Sequence, residues 1–417
     1  EELEQLTRIL SAQLLDESGI NEEELKFYFI NNAEINAFVT GGTNIFINTG
    51  LITSADDYRE YQSVLAHELA HIIGGHIFNT KTEIGNLSSR AMPVYLLGVI
   101  GILTGAAESG VASILLGQAS VQDGFTYYSR NQEASADQAA ANLMCKNKVN
   151  AKYLTKFLNK LDRYYYTKLE SDTNYRSTHP SNKDRKLWIE SALKNKDCDY
   201  EKNIEFQIKF DLLKAKLFAY THKVSETRAI YNENTLQGKY ALAIIAYLSG
   251  EHKTAKKYLG QLIRIDPENP FFWELYGEIH FINNELNEAV DYQSKALDFL
   301  EDPTDLYYMI IGNYLISINE KDAKKEGIKF LKKSILINPK NTYSWYLLAR
   351  AYADIDNLPF ANYATAERYY LIGERKLAYE FAKKSLDSME KKTPEWYRAN
   401  DLMSIIGSPN TNETNTD

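Results

Sequence analysis

The chain has 417 residues, which is enough for two or three domains, because a single hydrophobic core stops growing well below that length. Hydrophobic residues make up 44% and charged residues 25%, a composition typical of a globular protein. The formal net charge of -9, with no block of lysine or arginine, excludes the basic surface that nucleic-acid binding requires.

Two cysteines, Cys145 and Cys198, are too few for a scaffold held together by disulfides. The sequence leaves open whether they form one bridge or remain two thiols. The chain begins with Glu1 rather than methionine, which is expected for a mature form after removal of a signal peptide, or for a trimmed chain.

The predicted elements of the N-terminal half combine helices with short strands. ELEQLTRILSAQLL (2–15) has helical spacing, KFYFI (26–30) alternates like a strand, and INAFVTGGTNIFINTGLI (35–52) indicates two short strands around a Gly-Gly turn. Helices follow from about residue 60 onward. The predicted fold of this half is therefore mainly α with a small β-sheet.

The stretch HELAHIIGGH (67–76) contains the zinc-peptidase signature H-E-x-x-H. Four residues make just over one helical turn, so His67 and His71 project from one face and can hold one ion together. Glu68 lies about 100° round the helix from His67, beside the metal but poorly placed to bind it. That position suits a general base, which takes a proton from the water that attacks a carbonyl carbon.

His76 is the nearest further histidine, yet its spacing does not fit a third ligand. The metzincin pattern H-E-x-x-H-x-x-G-x-x-H is matched through Gly74 but requires histidine at position 77, which is Ile77. On a continuing helix His76 would point about 180° away from His67. We expect a supporting or surface histidine at position 76.

The stretch NQEASADQAAANLM (131–144) offers a better third ligand. Glu133 and Asp137 are four residues apart on an alanine-rich helical segment, so both carboxylates face the same way. Zinc peptidases often use two histidines and a glutamate and leave the fourth position for water. We predict Glu133 as the ligand and Asp137 as the acceptor of the spare ring N–H of a ligating histidine.

The most apolar stretches are AMPVYLLGVIGILTGAA (91–107) and VASILLGQASV (111–121). Both are shorter than the ~20 residues that a helix needs to span a bilayer. Over residues 91–122 we therefore expect two buried helices, or a lid that contacts a membrane or a substrate, rather than two membrane spans.

After about residue 200 the pattern becomes a repeat. Four positions recur 34 residues later, with Ala255, Tyr258, Leu262 and Ile265 followed by Ala289, Tyr292, Ala296 and Phe299. This period belongs to tetratricopeptide repeats. Each unit is a helix pair that cannot bury its apolar face alone, so several units stack into a solenoid with a concave binding surface. A helical array that only supports the other domain is the alternative.

Four motifs, in this order, give the chain a resemblance to a known family. They are NAFVTGGTNIFINTGLI (36–52), HELAHIIGGH (67–76), EASAD (133–137) and THPSNKDR (178–185). The chain resembles the BepA-type periplasmic zinc metallopeptidases of bacteria, relatives of HtpX and LoiP. The resemblance implies a zincin-like α+β peptidase domain over residues 1–200, followed by an all-α tetratricopeptide-repeat solenoid over residues 201–417.

The resemblance also assigns the metal site. It implies one Zn²⁺ per chain, ligated by the residues that match His67, His71 and Glu133. The match of Glu68 is the catalytic base in this family. The third ligand therefore comes from outside the H-E-x-x-H motif.

Further site residues follow from the same resemblance. His179, in the T-H-P motif, is expected to plug the open coordination position or, once withdrawn, to stabilise the oxyanion; a purely structural histidine is the alternative. Arg185 is expected to anchor the loop or a carboxylate. The stretch with Gly41, Gly42 and Asn44 resembles an edge strand that binds an extended substrate by β-augmentation.

The predicted function is that of a periplasmic zinc endopeptidase for quality control of outer-membrane proteins. Its expected partners are unfolded or stalled outer-membrane β-barrel proteins and their assembly complex, bound through the repeats, with no nucleic acid and with peripheral membrane contact through 91–122. The competing hypothesis is a chaperone or assembly factor that acts mainly through its repeats while the protease stays latent. A Glu68→Gln substitution should abolish cleavage of an unfolded β-barrel substrate under the first hypothesis and spare function under the second.

Overall fold

The computed structural model describes residues 1–15, 20–40, 42–75, 130–167 and 184–407. The chain divides into two compact units, Glu1–Thr227 and Arg228–Asp417. The repeat pattern places the division near residue 200, whereas the compact units divide after residue 227.

Helices dominate the first unit. Those described are α1 (Glu2–Leu15), α2 (Thr49–Ser54), α3 (Tyr58–Ile73), α4 (Arg130–Lys146), α5 (Lys152–Thr167), α6 (Arg185–Leu193) and α7 (Ile204–Thr221), with α8 (Val224–Ile230) after them. A short 3-10 helix lies at Glu22–Glu24. Helix α7 stays with the first unit because Phe210 and Leu213 on it belong to that unit's hydrophobic core.

Among the described residues, three strands form one sheet: β1 (Lys26–Ile30), β2 (Ala37–Thr40) and β3 (Asn44–Asn48). The central strand β3 is parallel to β1 and antiparallel to β2. The ring of Phe46 on β3 lies between those of Tyr28 and Phe38, with centroid distances of 4.8 and 5.2 Å. These aromatic pairs stabilise one face of the sheet, while Ile45 and Ile47 are fully buried on the other.

A close backbone contact determines how the chain leaves this sheet and enters α2. The N–H of Gly50 donates a hydrogen bond to the carbonyl oxygen of Asn32, with a distance of 2.8 Å. A Cβ atom at position 50 would lie 2.2 Å from the carbonyl oxygen of Ala33. Only glycine fits here, because any side chain would push the two backbone segments apart.

Helix α3 forms the centre of the first unit. It packs against α1, α4, α5, α7 and β2. Tyr61, Leu65 and Leu69 along it are fully buried. A helix covered on several sides has a well-defined position, so the side chains on α3 are held more firmly than those of a surface helix.

Capping residues determine the two ends of α3. The side chain of Asp57 accepts the backbone N–H of Arg59 at 3.0 Å and so caps the N-terminus. The helix ends at Ile73, and Gly75 follows with a φ angle of 62°, which glycine adopts without strain. The helix therefore stops before His76, which lies outside the described residues.

The described part of the second unit is entirely helical. It comprises α9 (Leu236–Leu248), α10 (His252–Ile265), α11 (Pro270–Ile282), α12 (Leu286–Asp298), α13 (Asp305–Ser317), α14 (Lys321–Ile337), α15 (Thr342–Asp354), α16 (Leu358–Leu371), α17 (Arg375–Ser388) and α18 (Pro394–Ile406). Each of these helices packs against the next one along the chain. Ala255 and Leu262, and the residues 34 positions later, Ala289 and Ala296, are all fully buried.

The predicted fold class is confirmed: a small sheet lies within a mainly helical unit, and an all-α tetratricopeptide-repeat solenoid follows it.

Cys145 and Cys198 form a disulfide bond with a Cα–Cα distance of 5.0 Å, which decides between the two alternatives that the sequence left open. No helix in the described ranges combines the length and the hydropathy needed to cross a membrane. The apolar segment 91–122 lies outside those ranges.

Candidate metal centre

His67 and His71 lie one turn apart on α3 and face the same buried space. Their exposed fractions are 4% and 0%. Their Nε2 atoms are 3.1 Å apart, and the two rings are nearly perpendicular, with an interplanar angle of 82°. Each ring therefore directs one nitrogen toward the same point.

Glu133 brings a carboxylate from α4 to that point. Its Oε1 atom lies 3.2 Å from Nε2 of His71, and its Oε2 atom lies 3.5 Å from Nε2 of His67. In a tetrahedral zinc site with bonds of about 2.0–2.1 Å, neighbouring ligand atoms are roughly 3.3 Å apart. The donor set and its spacing thus fit a divalent metal ion, and the described part of the chain contains this one group with such geometry.

The site has a negative potential that favours a cation. Burial alone lowers the pKa of His67, but the carboxylates of Glu133 and Asp137 outweigh burial and raise this pKa to about 10. A field that attracts a proton to an imidazole also attracts a metal ion, so the two compete for the same nitrogen. The electrostatics therefore agree with the donor set.

Asp137 and Arg185 contact two of the candidate ligands, His67 and Glu133. Asp137 Oδ1 lies 3.1 Å from Nδ1 of His67, which leaves Nε2 of that ring for the metal. Arg185, at the start of α6, donates to both oxygens of Asp137 at 2.6 and 2.7 Å. Its Nη1 atom lies 3.1 Å from Oε2 of Glu133. One guanidinium thus fixes the two carboxylates of α4 relative to each other.

The same guanidinium keeps the second carboxylate ionised. Burial raises the pKa of Asp137, but the charge and hydrogen bonds of Arg185 outweigh it and hold that pKa below its usual range. Asp137 therefore remains an acceptor for the ring N–H of His67 at neutral pH.

Glu68 directly follows His67 on α3 and is 1% exposed. The helical offset of about 100° places its carboxylate beside the ligand cluster rather than within it. The proton-transfer role of Glu68 stays a prediction.

Two of the remaining predicted site residues can be placed in the structure. Gly41 and His179 are outside the described residues. Gly42 follows β2 with a φ angle of 95°, and Asn44 begins β3, where its Nδ2 donates to the carbonyl oxygen of Thr40 at 3.4 Å. Strand β2, which precedes Gly42, packs against α3, the helix that carries His67 and His71.

One set of contacts near the site is not apparent from the sequence motifs. Glu60 is fully buried two turns before His67, and its carboxylate pairs with Lys156 at 2.8 Å and with Lys160 at 2.7 Å, both on α5. Spacing was the one sequence signal for these contacts. Glu60 precedes His67 by seven residues, which is two helical turns, so the two share a face of α3. Lys156 and Lys160 are four residues apart and so share a face of α5. These ion pairs join α3 to α5.

Residues 1–192 match the model of Peptidase family M48. This match confirms the resemblance inferred from the motifs, and together with the similar proteases it makes the protein a metalloendopeptidase.

The similar proteins include two proteases and one repeat protein. The chain is 23% identical over 384 residues to the beta-barrel assembly-enhancing protease of Escherichia coli (strain K12), covering 89% of this chain and 76% of that one. It is 30% identical over 202 residues to the Protease HtpX homolog of Helicobacter pylori (strain J99), covering 43% and 64%. Among solved structures, the tetratricopeptide-repeat protein YrrB matches with a TM-score of 0.28 and 14% identity, covering 43% of this chain and 98% of that chain.

Proposed function

We propose that this protein is a zinc-dependent endopeptidase in which His67, His71 and Glu133 hold the ion and Glu68 acts as the general base. The observation that carries the proposal is the convergence of two imidazoles and one carboxylate in a buried site. This is the donor set of catalytic zinc sites, which keep a fourth position open. When bound, zinc supplies the Lewis acidity that polarises a peptide carbonyl group.

Three protein side chains have separate roles in the proposed reaction. Glu68 accepts a proton from the attacking water and delivers it to the leaving amine. Asp137 keeps His67 in one tautomer, because its carboxylate faces Nδ1 of the ring. Arg185 holds Glu133 and Asp137 in fixed positions, so the ligand set is organised before substrate arrives.

The proposed substrate site is the stretch with Gly41, Gly42 and Asn44. An extended peptide would pair with this part of the chain by main-chain hydrogen bonds. The position of β2 against α3 supports this assignment, and so does Gly42, which has no side chain to block a backbone.

The proposed substrates are outer-membrane β-barrel proteins and components of their assembly machinery, and the proposed compartment is the bacterial periplasm. The similarity to an enzyme named for enhancing β-barrel assembly supports the substrate class. The disulfide between Cys145 and Cys198 supports an oxidising compartment. The solenoid offers the extended surface through which such partners would bind.

Glu68→Gln tests the proposal. The purified full-length variant is expected to retain one zinc per chain but to lose cleavage of an unfolded β-barrel protein by about 10²–10⁴-fold, the usual contribution of a general base. Glu23→Gln, at an exposed position, is the matched control and should leave both zinc and cleavage unchanged. Undiminished cleavage by Glu68→Gln would contradict the mechanism. Full assembly function in a cleavage-deficient variant would favour the chaperone alternative.

We also propose that His179 plugs the open coordination position. His179→Ala should then raise the basal cleavage rate of a short unstructured peptide, because the site would be open without a triggering signal. A lower rate in the same assay would contradict the plug and support the alternative role in oxyanion stabilisation.

A further inference from the structure

Helix α4 is joined to the chain around α6 at two places. In the first half of α4, Glu133 and Asp137 pair with Arg185 of α6. Near its end, Cys145 is bonded to Cys198, which lies a few residues beyond α6. The first connection is electrostatic and touches a metal ligand, whereas the second is covalent.

Residues 194–203, here the connecting segment, follow α6 and lie along the C-terminal end of α4. Lys196 donates from Nζ to Oδ1 of Asn142 at 2.5 Å, and the hydroxyl group of Tyr200 donates to the carbonyl oxygen of Cys145 at 3.1 Å. Both acceptors belong to the last turns of α4. The disulfide is therefore the covalent centre of a larger contact between this segment and the helix that carries the metal ligand.

Further polar contacts extend the connecting segment beyond α4. Asp199 accepts hydrogen bonds from Nδ2 of Asn150 and from Nζ of Lys152, each at 2.6 Å. Lys152 is exposed, so solvent weakens its ion pair with Asp199. Cys198, by contrast, is buried in the core of the unit together with Ile189, which lies one turn after Arg185. Of these contacts, the disulfide is the one that solvent cannot compete with.

We propose that the Cys145–Cys198 disulfide is a positioning element of the metal centre, so that metal affinity depends on the oxidation state of this pair. The inference rests on the proposed function of the site. The bond fixes α6 along α4, and this in turn fixes the guanidinium of Arg185 against Glu133. Outer contacts of this kind determine how well a ligand is oriented before the ion binds.

Opening the bridge takes a two-electron reductant, for which we name a dithiol. The dithiol transfers two electrons and two protons to the disulfide, which becomes two thiols, and the reductant itself becomes a disulfide through a mixed intermediate. Cys145 is only half-buried, whereas Cys198 is buried. The product retains both cysteine side chains, but their sulfur atoms must move apart, and the covalent restraint between α4 and the connecting segment is lost.

A purely stabilising role is the competing explanation, because any bridge between distant residues restricts the unfolded chain. The two explanations differ in what happens to metal affinity while the protein is folded. A stabilising bridge leaves affinity unchanged under conditions where both forms are folded. A positioning bridge changes metal affinity even when both forms are folded, because it acts by holding Arg185 against Glu133.

The test measures zinc affinity of the full-length protein by competition with a chromophoric chelator, without reductant and at a temperature where every variant is folded. Cys145→Ala/Cys198→Ala is expected to bind zinc at least about tenfold more weakly than wild type, the lower range for outer contacts. Leu10→Ala, a fully buried change on α1, is the control for lost stability and should leave affinity unchanged. Combining the cysteine pair with Arg185→Gln should add little beyond Arg185→Gln alone.

The outcomes separate this inference from the proposed function. Equal zinc affinity in wild type and in the cysteine variant would overturn the positioning role and leave the peptidase proposal intact. If the cysteine and arginine substitutions weaken zinc affinity additively, the disulfide does not act by positioning Arg185. If oxidised wild type binds no zinc, or if His71→Ala retains it, the proposed function fails and this inference fails with it.

Discussion

The two compact units bury different kinds of residue. The first unit buries a group of charged and ionisable side chains around one point, in which Glu133 contacts both His67 and Arg185. The second buries mainly alanine, leucine and aromatic residues, and its buried Glu367 contacts a single arginine, Arg398. Buried charges persist only with partners, so several that share partners around one point indicate chemistry, whereas an isolated pair indicates structure.

Replacing one buried glutamate of each unit by glutamine, in two separate variants, should give the largest difference between the units. Glu133→Gln removes a ligand charge, so zinc affinity and peptide cleavage should fall by more than about 100-fold, which exceeds the loss expected for an outer contact. Glu367→Gln deprives Arg398 of its carboxylate, but that arginine is 45% exposed and remains hydrated. We expect this second change to cost about 1–2 kcal/mol of unfolding free energy and to leave zinc unchanged.

Zinc analysis, peptide cleavage and urea unfolding on both variants provide the measurement. Comparable zinc loss in the two variants would mean that general destabilisation, and not ligation, explains the effect of Glu133→Gln. Retained zinc in Glu133→Gln would remove this residue from the ligand set.

A large truncation in the core of the repeats should lower stability and leave the metal site unchanged, the opposite of what Glu133→Gln does. Phe272 on α11 is fully buried, and its ring centroid lies 5.0 Å from that of Tyr240 on α9. Phe272→Ala is expected to lower the unfolding free energy of the second unit by about 3–5 kcal/mol. Cleavage of a short peptide should not change, because the substitution lies outside the peptidase unit.

Circular-dichroism melting and a peptide assay on the same sample check this expectation. Tyr397→Ala, at an exposed aromatic position of the same unit, is the matched control and should change stability by no more than about 0.5 kcal/mol. A parallel loss of peptide cleavage in Phe272→Ala would show that the contrast between the units is wrong.

Arg185→Gln should produce an intermediate effect. The variant loses the paired hydrogen bonds to Asp137 and the contact with Glu133, so we expect zinc affinity to fall by about 10–100-fold. Arg185→Lys should rescue little, because an ammonium group cannot reproduce two parallel hydrogen bonds. Arg264→Gln, at an exposed position of α10, should not alter zinc affinity. Wild-type affinity in both Arg185 variants would contradict the positioning role of this residue.

Much of this site could be predicted from the sequence because a helix converts spacing into geometry. Four-residue spacing is enough to place His67 beside His71, and the same rule puts Glu133 and Asp137 on one face of α4. The strands were predictable from alternating apolar residues on either side of Gly-Gly. All these features depend on residues close together in the chain.

Features that join distant residues could not be predicted in this way. The pairing of Cys145 with Cys198 spans 53 residues and depends on how the connecting segment packs against α4. The same holds for the two hydrogen bonds from Arg185 to Asp137, across 48 residues. The position at which the first unit ends also depends on tertiary packing. The sequence of α7 indicates a helix but not the unit to which it belongs, and its packing assigns it to the first.

The smallest predicted effect concerns Glu60, a buried carboxylate in the peptidase unit that lies outside the metal site. Burial alone would raise the pKa of Glu60, but hydrogen bonds from Lys156 and Lys160 outweigh it and lower that pKa. A lowered folded-state pKa contributes stability above the unfolded value of about 4.3, and this contribution disappears as the pH falls through the folded-state value. Glu60→Gln should therefore be less stable than wild type at pH 7 by about 1 kcal/mol, since the lysines are partly solvated.

The difference between wild type and Glu60→Gln should shrink when the pH falls below about 4, because the wild-type carboxylate then becomes protonated and resembles the amide. Urea midpoints at several pH values between neutral and acid measure this difference directly. Glu23→Gln, an exposed carboxylate, should follow wild type throughout. A gap between wild type and Glu60→Gln that is the same at every pH would show that packing, and not charge, holds α3 on α5. Because Glu60 does not contact the ligands, zinc affinity at pH 7 should be unchanged, which separates a buried charge that supports the fold from one that serves the site.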